Sequence, residues 1–345
     1  MDLLQLYGEV GKILDSLDFD TLFQGFYKYR FALYNKDEIV LDGKAMAYRE
    51  DFRGNTAKEY EGEYIAIWDV GSDPATDVER LAYCLVHEMF HCHQYTHKKE
   101  GYPNDLDLLN YPEDVGNFIR KYNENRYLAE AYENTDEESL RKFAYIRVLR
   151  FKQYPASLSQ EWKVEGLEGM AEYIGLKALE CINPVRFENV VRDYLGKLRE
   201  ESNLLFDVRR ISYFVGAVYF LCMEKFGRPV SFEWNSEQTI YEQNPIDSDG
   251  CVAEVITYDF IADNQRKRML EKEAILQAHM KAAEYIECKG IICGYDPMNM
   301  FRLKDMIYCS HFILLHIDGE MRTINSKVTL RLEEGSNRNV VGYYV

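Results

Sequence analysis

Apolar positions recur at three- and four-residue steps through Val78, Leu81, Ala82, Leu85, Met89 and Cys92, which predicts a helix with one buried face. The same spacing predicts helices over about 112–134, 136–152, 159–181, 184–200 and 208–226, punctuated by Pro155 and Pro184. Residues 1–35 also read as helical. Between these stretches the pattern shortens. Ile39–Leu41 and Lys44–Tyr48 read as short strands around the Asp42-Gly43 turn, and Tyr64–Trp68 as a further strand closed by Gly71-Ser72-Asp73. Asp73-Pro74 is expected to open the helix that runs through Cys84–Gln94.

The pattern changes near Asn244–Gly250, a stretch poor in apolar residues. A charged helix is expected over about 261–289, then strands at Ile291–Tyr295, Cys309–Ile317, Val328–Leu332 and Val340–Val345, with Asp318-Gly319 as a hairpin turn. The fold class expected is α+β. A mainly helical domain with a small N-terminal sheet covers 1–245, and a small helix-plus-strand domain covers 246–345.

Composition narrows the function. Of 345 residues 47% are hydrophobic, enough for a packed core. Lys and Arg number 41 against 58 Asp and Glu, a net charge of −17, so the chain lacks the basic surface that nucleic acid requires and no nucleic-acid partner is expected. No apolar run reaches the roughly 18–20 residues needed to span a bilayer, and the first residues carry no basic, apolar leader. The eight cysteines form no CxxC pair and several sit in apolar helical patterns. A cytoplasmic location is expected.

Candidate chemistry is concentrated in His87-Glu88-Met89-Phe90-His91. Two histidines four apart project from one helical face and suit one Zn²⁺ ion, while Glu88, about 100° round the helix, suits a base acting on water beside it. In a chain with seven histidines, a chance HExxH is on the order of a one-in-a-hundred event; the competing reading is a buried helix whose histidines merely pair with neighbouring carboxylates. Downstream, Glu161, Glu165, Glu168 and Glu172 fall on one face of a second helix, where a nearby cation or histidine cluster would relieve their mutual repulsion; an acidic solvated face is the competing reading. Gly166, Gly169 and Ala171 on that helix suit close approach of a neighbour.

His87-Glu88-x-x-His91 followed by Glu168-Gly169-Met170-Ala171-Glu172-Tyr173 resembles the gluzincin clan of zinc metallopeptidases. The resemblance covers the stretch from Tyr64 to about Phe226. It implies a zincin-like catalytic domain in which His87, His91 and Glu168 hold Zn²⁺ and Glu88 is the general base. It further implies that Glu172 orients a ligand histidine from behind and that Tyr64–Trp68 is the edge strand receiving an extended peptide or protein substrate. The gap between His91 and Glu168 is longer than common gluzincins have, and its helices are expected to form a cap-like insertion over about 104–155.

Two alternatives for the third ligand stay open. Glu165 also precedes a glycine, but a ligand there leaves Gly169, not an acid, four residues on. His97 has the six-residue spacing of a metzincin third ligand, but Gln94 stands where that motif needs a glycine able to adopt positive φ. His93 is expected to be structural. Tyr213 in Tyr213-Phe214-Val215-Gly216-Ala217 resembles the oxyanion-stabilising tyrosine of aminopeptidase-type gluzincins; packing as one more core aromatic is the competing reading. Arg209 and Arg210 are expected at the surface, with binding of a substrate carboxylate as the alternative. The aminopeptidases' Gly-x-Met-Glu-Asn strand has no counterpart, because Gly43–Ala47 lacks its acid. The function expected is zinc-dependent peptide hydrolysis. The competing expectations are a catalytically silent binding protein, or hydrolysis of another amide or ester.

Overall fold

A computed structural model describes residues 2–72, 77–98 and 100–345. Asp73 and Pro74 lie outside the described residues. The chain opens with α1 (Leu3–Asp15), which buries Leu3, Leu6, Val10 and Leu14 along one stripe, and a single turn, α2 (Phe19–Leu22). Five strands follow: β1 (Phe31–Tyr34), β2 (Glu38–Leu41), β3 (Lys44–Ala47), β4 (Thr56–Tyr60) and β5 (Glu63–Asp69). They form one sheet in the order β3-β2-β1-β5-β4, with β1 and β5 parallel and the other neighbours antiparallel. Asp42-Gly43 and Glu61-Gly62 take positive φ at both central positions of their hairpins, the geometry that matches strand twist.

Two expectations are corrected here. Residues 31–34 are a strand rather than a helix, because Phe31-Ala32-Leu33-Tyr34 is a short continuous apolar run buried on both faces, which periodicity cannot separate from a helix. Nor is Tyr64–Trp68 an edge. β5 is hydrogen-bonded to β1 on one side and to β4 on the other, so the free edge belongs to Thr56–Tyr60.

The helical body comprises α3 (Val78–His97), α4 (Asp105–Leu108), α5 (Val115–Asn134), α6 (Glu137–Gln153), α7 (Pro155–Ile182), α8 (Pro184–Arg199), a 3-10 turn (Asn203–Phe206), α9 (Val208–Lys225) and α10 (Ile240–Gln243). Asp77 caps α3, its carboxylate accepting from the backbone N–H of Glu79 and Arg80. α3 packs between the sheet and α7 through Leu85, Met89 and Phe90, against Phe26 and Ile174. α5 and α6, in the stretch expected as a cap, join α7, α8 and α9 in a second core built on Leu128, Phe143, Leu176, Leu195 and Val218.

Two glycines draw α7 and α9 together. A Cβ on Gly169 would overlap the backbone of Gly216, and one on Gly216 would overlap the carbonyl of Glu165, so the helices touch backbone to backbone at this crossing. Gly175 does the same, less tightly, against α3, where a Cβ would stand 3.0 Å from the Tyr83 carbonyl and 3.5 Å from His87 Cβ.

Beyond residue 250 lie α11 (Asp259–Ala282) and seven strands: β6 (Tyr285–Tyr295), β7 (Met300–Leu303), β8 (Met306–Cys309), β9 (Ile313–Ile317), β10 (Glu320–Ile324), β11 (Val328–Leu332) and β12 (Asn339–Tyr344). The charged helix therefore ends about seven residues earlier than its polarity suggests, and β6 takes up the remainder. The strands form an antiparallel sheet in the order β10-β9-β6-β12-β11-β8-β7, with Ile307, Leu315, Val328 and Leu330 in its core. The class is α+β, as expected. No helix among the described residues is long and apolar enough to cross a membrane.

Candidate metal centre

His87 and His91 lie one turn apart on α3, and Glu168 reaches them from α7 across the contact that Gly175 keeps close. His91 Nε2 is 3.0 Å from His87 Nε2 and 3.1 Å from Glu168 Oε2, and His87 Nε2 is 3.9 Å from the same oxygen. All three side chains are buried, between 5% and 7% exposed.

The rear face of each imidazole determines what the front can do. His91 Nδ1 is 2.6 Å from Gln94 Oε1, and Gln94 is itself oriented by donating Nε2–H to the Leu167 carbonyl at 2.9 Å. The amide oxygen can only accept, so His91 carries its proton on Nδ1 and turns a lone pair forward from Nε2. His87 Nδ1 stands 2.9 Å from Glu172 Oε2, a contact off the line of an ideal hydrogen bond that still places a carboxylate against this nitrogen. Tyr194 in turn donates its hydroxyl to Glu172. With Nδ1–H held this way, a neutral His87 also turns a lone pair forward. Two imidazole lone pairs and a carboxylate oxygen then converge on one point, an arrangement that suits a bound cation. Two imidazoles and a carboxylate suit zinc, whose tetrahedral bonds of 2.0–2.1 Å require donors about 3.3 Å apart, a value that the spacings of 3.0, 3.1 and 3.9 Å bracket. The residues fit the ion.

Charge around the site follows from burial opposed by pairing. Burial disfavours a charged His87, but Glu172, Glu88 and Glu168 outweigh it and raise its pKa to about 9. Burial likewise disfavours a charged Glu168, but His91 and Arg209 hold its carboxyl down at about 2. Glu88, 7% exposed, is pushed above the usual carboxylate range by burial, partly offset by His87 and His91. The Tyr213 ring lies parallel to His87 at 6.0 Å, and burial beside Glu168 raises its phenol well above its ordinary value. Tyr95, not singled out in the sequence, lies against His91 at 6.0 Å. Arg209 donates to Glu168 Oε1 at 2.9 Å and is mostly buried, against the expectation of a surface residue; Arg210 is the one that faces solvent.

The remaining candidates fall elsewhere. Glu165 Oε2 accepts from Arg147 at 2.6 Å, Glu161 pairs with Lys121 and Arg150, and Glu124 pairs with both arginines. Glu124, Glu161 and Glu165 stand close enough to hold an ion, but Lys121, Arg147 and Arg150 already neutralise them one for one. The acidic stripe of α7 is thus split: its first two glutamates meet buried cations and its last two meet the histidines. His97 Nδ1 lies 2.8 Å from the His93 carbonyl, and both rings pack on Trp234, away from the triad. Desolvation lowers His93 to about 4, a structural histidine kept neutral. Gln94, Tyr194 and Arg209 carried no metal-site signal in the sequence, because each acts through a fold contact. Comparison with protein-family models, with curated proteins and with solved structures gives no match for this chain.

Proposed function

We propose that the protein is a zinc-dependent hydrolase that cleaves peptide bonds. The observation that carries this reading is the convergence of His87 Nε2, His91 Nε2 and Glu168 Oε2 beside a buried Glu88. His87, His91 and Glu168 would hold the ion. A Zn²⁺ ion held there would supply Lewis acidity, making water more acidic and a carbonyl more electrophilic.

The chain's own residues would supply the rest. Glu88, its proton affinity raised by burial, takes the proton from water and passes it to the leaving amine. Tyr213 keeps its phenolic proton at all ordinary pH values and donates it as a hydrogen bond to the developing oxyanion. Glu172 and Gln94 hold the two imidazoles in the tautomer that presents Nε2. An extended peptide or protein substrate would pair with the free edge of β4, which packs with β5 against α3. All eight cysteines are unpaired, in keeping with a cytoplasmic setting.

Cleavage profiling of a peptide library with zinc-loaded wild type and Glu88→Gln tests the proposal. Wild type is expected to cleave, and the variant to keep zinc while losing at least about a hundredfold in rate. Zinc without turnover would point to a binding protein, and equal rates would remove Glu88 from the mechanism.

A further inference from the structure

α4 is a single turn, yet its residues grip both halves of the molecule. Leu106, 4% exposed, lies in the core of the C-terminal sheet with Ile292, Ile313 and Leu330. Asp107 accepts a hydrogen bond from Asn337 Nδ2 at 2.8 Å, in the turn before β12. Leu108 packs the other way, with Phe118 and Phe206 of the helical body. Asp105 forms an ion pair with Arg209 of α9, whose second terminal nitrogen is the one that donates to Glu168.

The two oxygens of Glu168 are therefore divided. Oε2 faces His91 and Oε1 is taken by Arg209. A guanidinium is a planar fork, so holding both terminal nitrogens fixes its plane and, with it, the carboxylate it grips. The charges alternate along the line: Asp105, Arg209, Glu168, then the ion. Without Asp105, Arg209 would keep only the Glu168 pairing and would draw negative charge from the carboxylate that faces the histidines. A cavity of about 360 Å³ bounded by Asp105, Arg209, Arg268 and Met298 leaves a released guanidinium room to turn away.

We infer that Leu106, Asp105 and Arg209 form a positioning relay through which the C-terminal domain sets the ligand carboxylate Glu168. The inference rests on the metal reading above and assigns the C-terminal domain a part in holding the ion. Arg209 and Asp105 are positioning residues.

The test is zinc affinity by chelator competition, with Tm and circular dichroism on each protein, for wild type, Asp105→Ala, Arg209→Ala, the double variant and Leu106→Ala. Asp105→Ala should weaken zinc binding by about ten- to a hundredfold, the usual cost of losing support behind a ligand. The double variant should be no weaker than Arg209→Ala alone, because residues acting in series do not add. Leu106→Ala, which leaves every charge in place, should also weaken binding, and cobalt-loaded Asp105→Ala should show a shifted visible spectrum. If Asp105→Ala does not fold, the isosteric Asp105→Asn serves with the same expectation. Wild-type affinity in the Asp105 variant, or additive losses in the double variant, overturns the relay alone. A wild-type protein that binds no zinc overturns the metal reading and the relay together.

Discussion

Glu172 Oε2 stands 2.9 Å from His87 Nδ1, on the opposite side of the imidazole from Glu168, so one helix places a carboxylate on each side of that ring and, on the metal reading proposed above, would supply both a ligand and the brace behind another. The four-residue step between Glu168 and Glu172 makes this possible, since both carboxylates project from the same face of α7. Gln94 gives His91 the same support from within α3. Glu172→Ala and Gln94→Leu are each expected to weaken zinc binding by about ten- to a hundredfold without abolishing it. Chelator competition measures this, and unchanged affinity in both would detach these residues from the site.

Alanine should have opposite effects at Gly216, inside the α7–α9 crossing, and at Gly196, on α8 away from it. Gly216→Ala drives a methyl into the Glu165 carbonyl and should destabilise by about 1–3 kcal/mol or more. Gly196, exposed on α8, has nothing within 4 Å of its would-be Cβ, so Gly196→Ala should stabilise by about 0.5–1 kcal/mol through helix propensity. Urea denaturation of the two variants checks both signs.

Zinc uptake should be linked to one proton. The metal-free His87 has its pKa raised from 6.5 to about 9, so at pH 7 the folded protein holds that proton, and zinc must displace it to reach Nε2. Glu168, held at about 2, has no proton to lose. Affinity should therefore rise about tenfold per pH unit from pH 7 to about 9 and then level as His87 deprotonates unaided. The same shift stabilises the metal-free protein fully below about pH 6.5, and that contribution is lost as pH rises through about 9. Calorimetry of zinc binding in buffers of different ionisation enthalpy counts the proton; a count near zero at pH 7 would contradict the assignment.

Much of this architecture was legible in the sequence because the signals were periodic and local. The apolar stripe of α3 and the four-residue spacing of His87 and His91 are properties of one helix, as is the Glu168–Glu172 step on α7. The reading weakened where local pattern was ambiguous or the partner was distant. Phe31–Tyr34 is buried on both faces and so lacks alternation, and the neighbours of β5 depend on sheet order, which no single strand encodes. Arg209 reads as one of two adjacent surface arginines until the Gly169–Gly216 contact brings α9 against α7 and buries one of the pair. The α7 glutamates could be seen as a stripe, but that Glu161 and Glu165 would meet Lys121, Arg147 and Arg150 depends on how α5 and α6 pack.

The choice of third ligand tests the account most directly, through zinc content after zinc-replete expression of wild type, Glu168→Ala, Glu165→Gln and His97→Ala, with circular dichroism to show that each is folded. The account predicts about one zinc per chain in wild type, Glu165→Gln and His97→Ala, and loss of the metal from Glu168→Ala, since three protein ligands retain zinc through purification and two do not. Less than about a tenth of an equivalent in wild type, or a Glu168→Ala protein that keeps zinc while His97→Ala loses it, would contradict it.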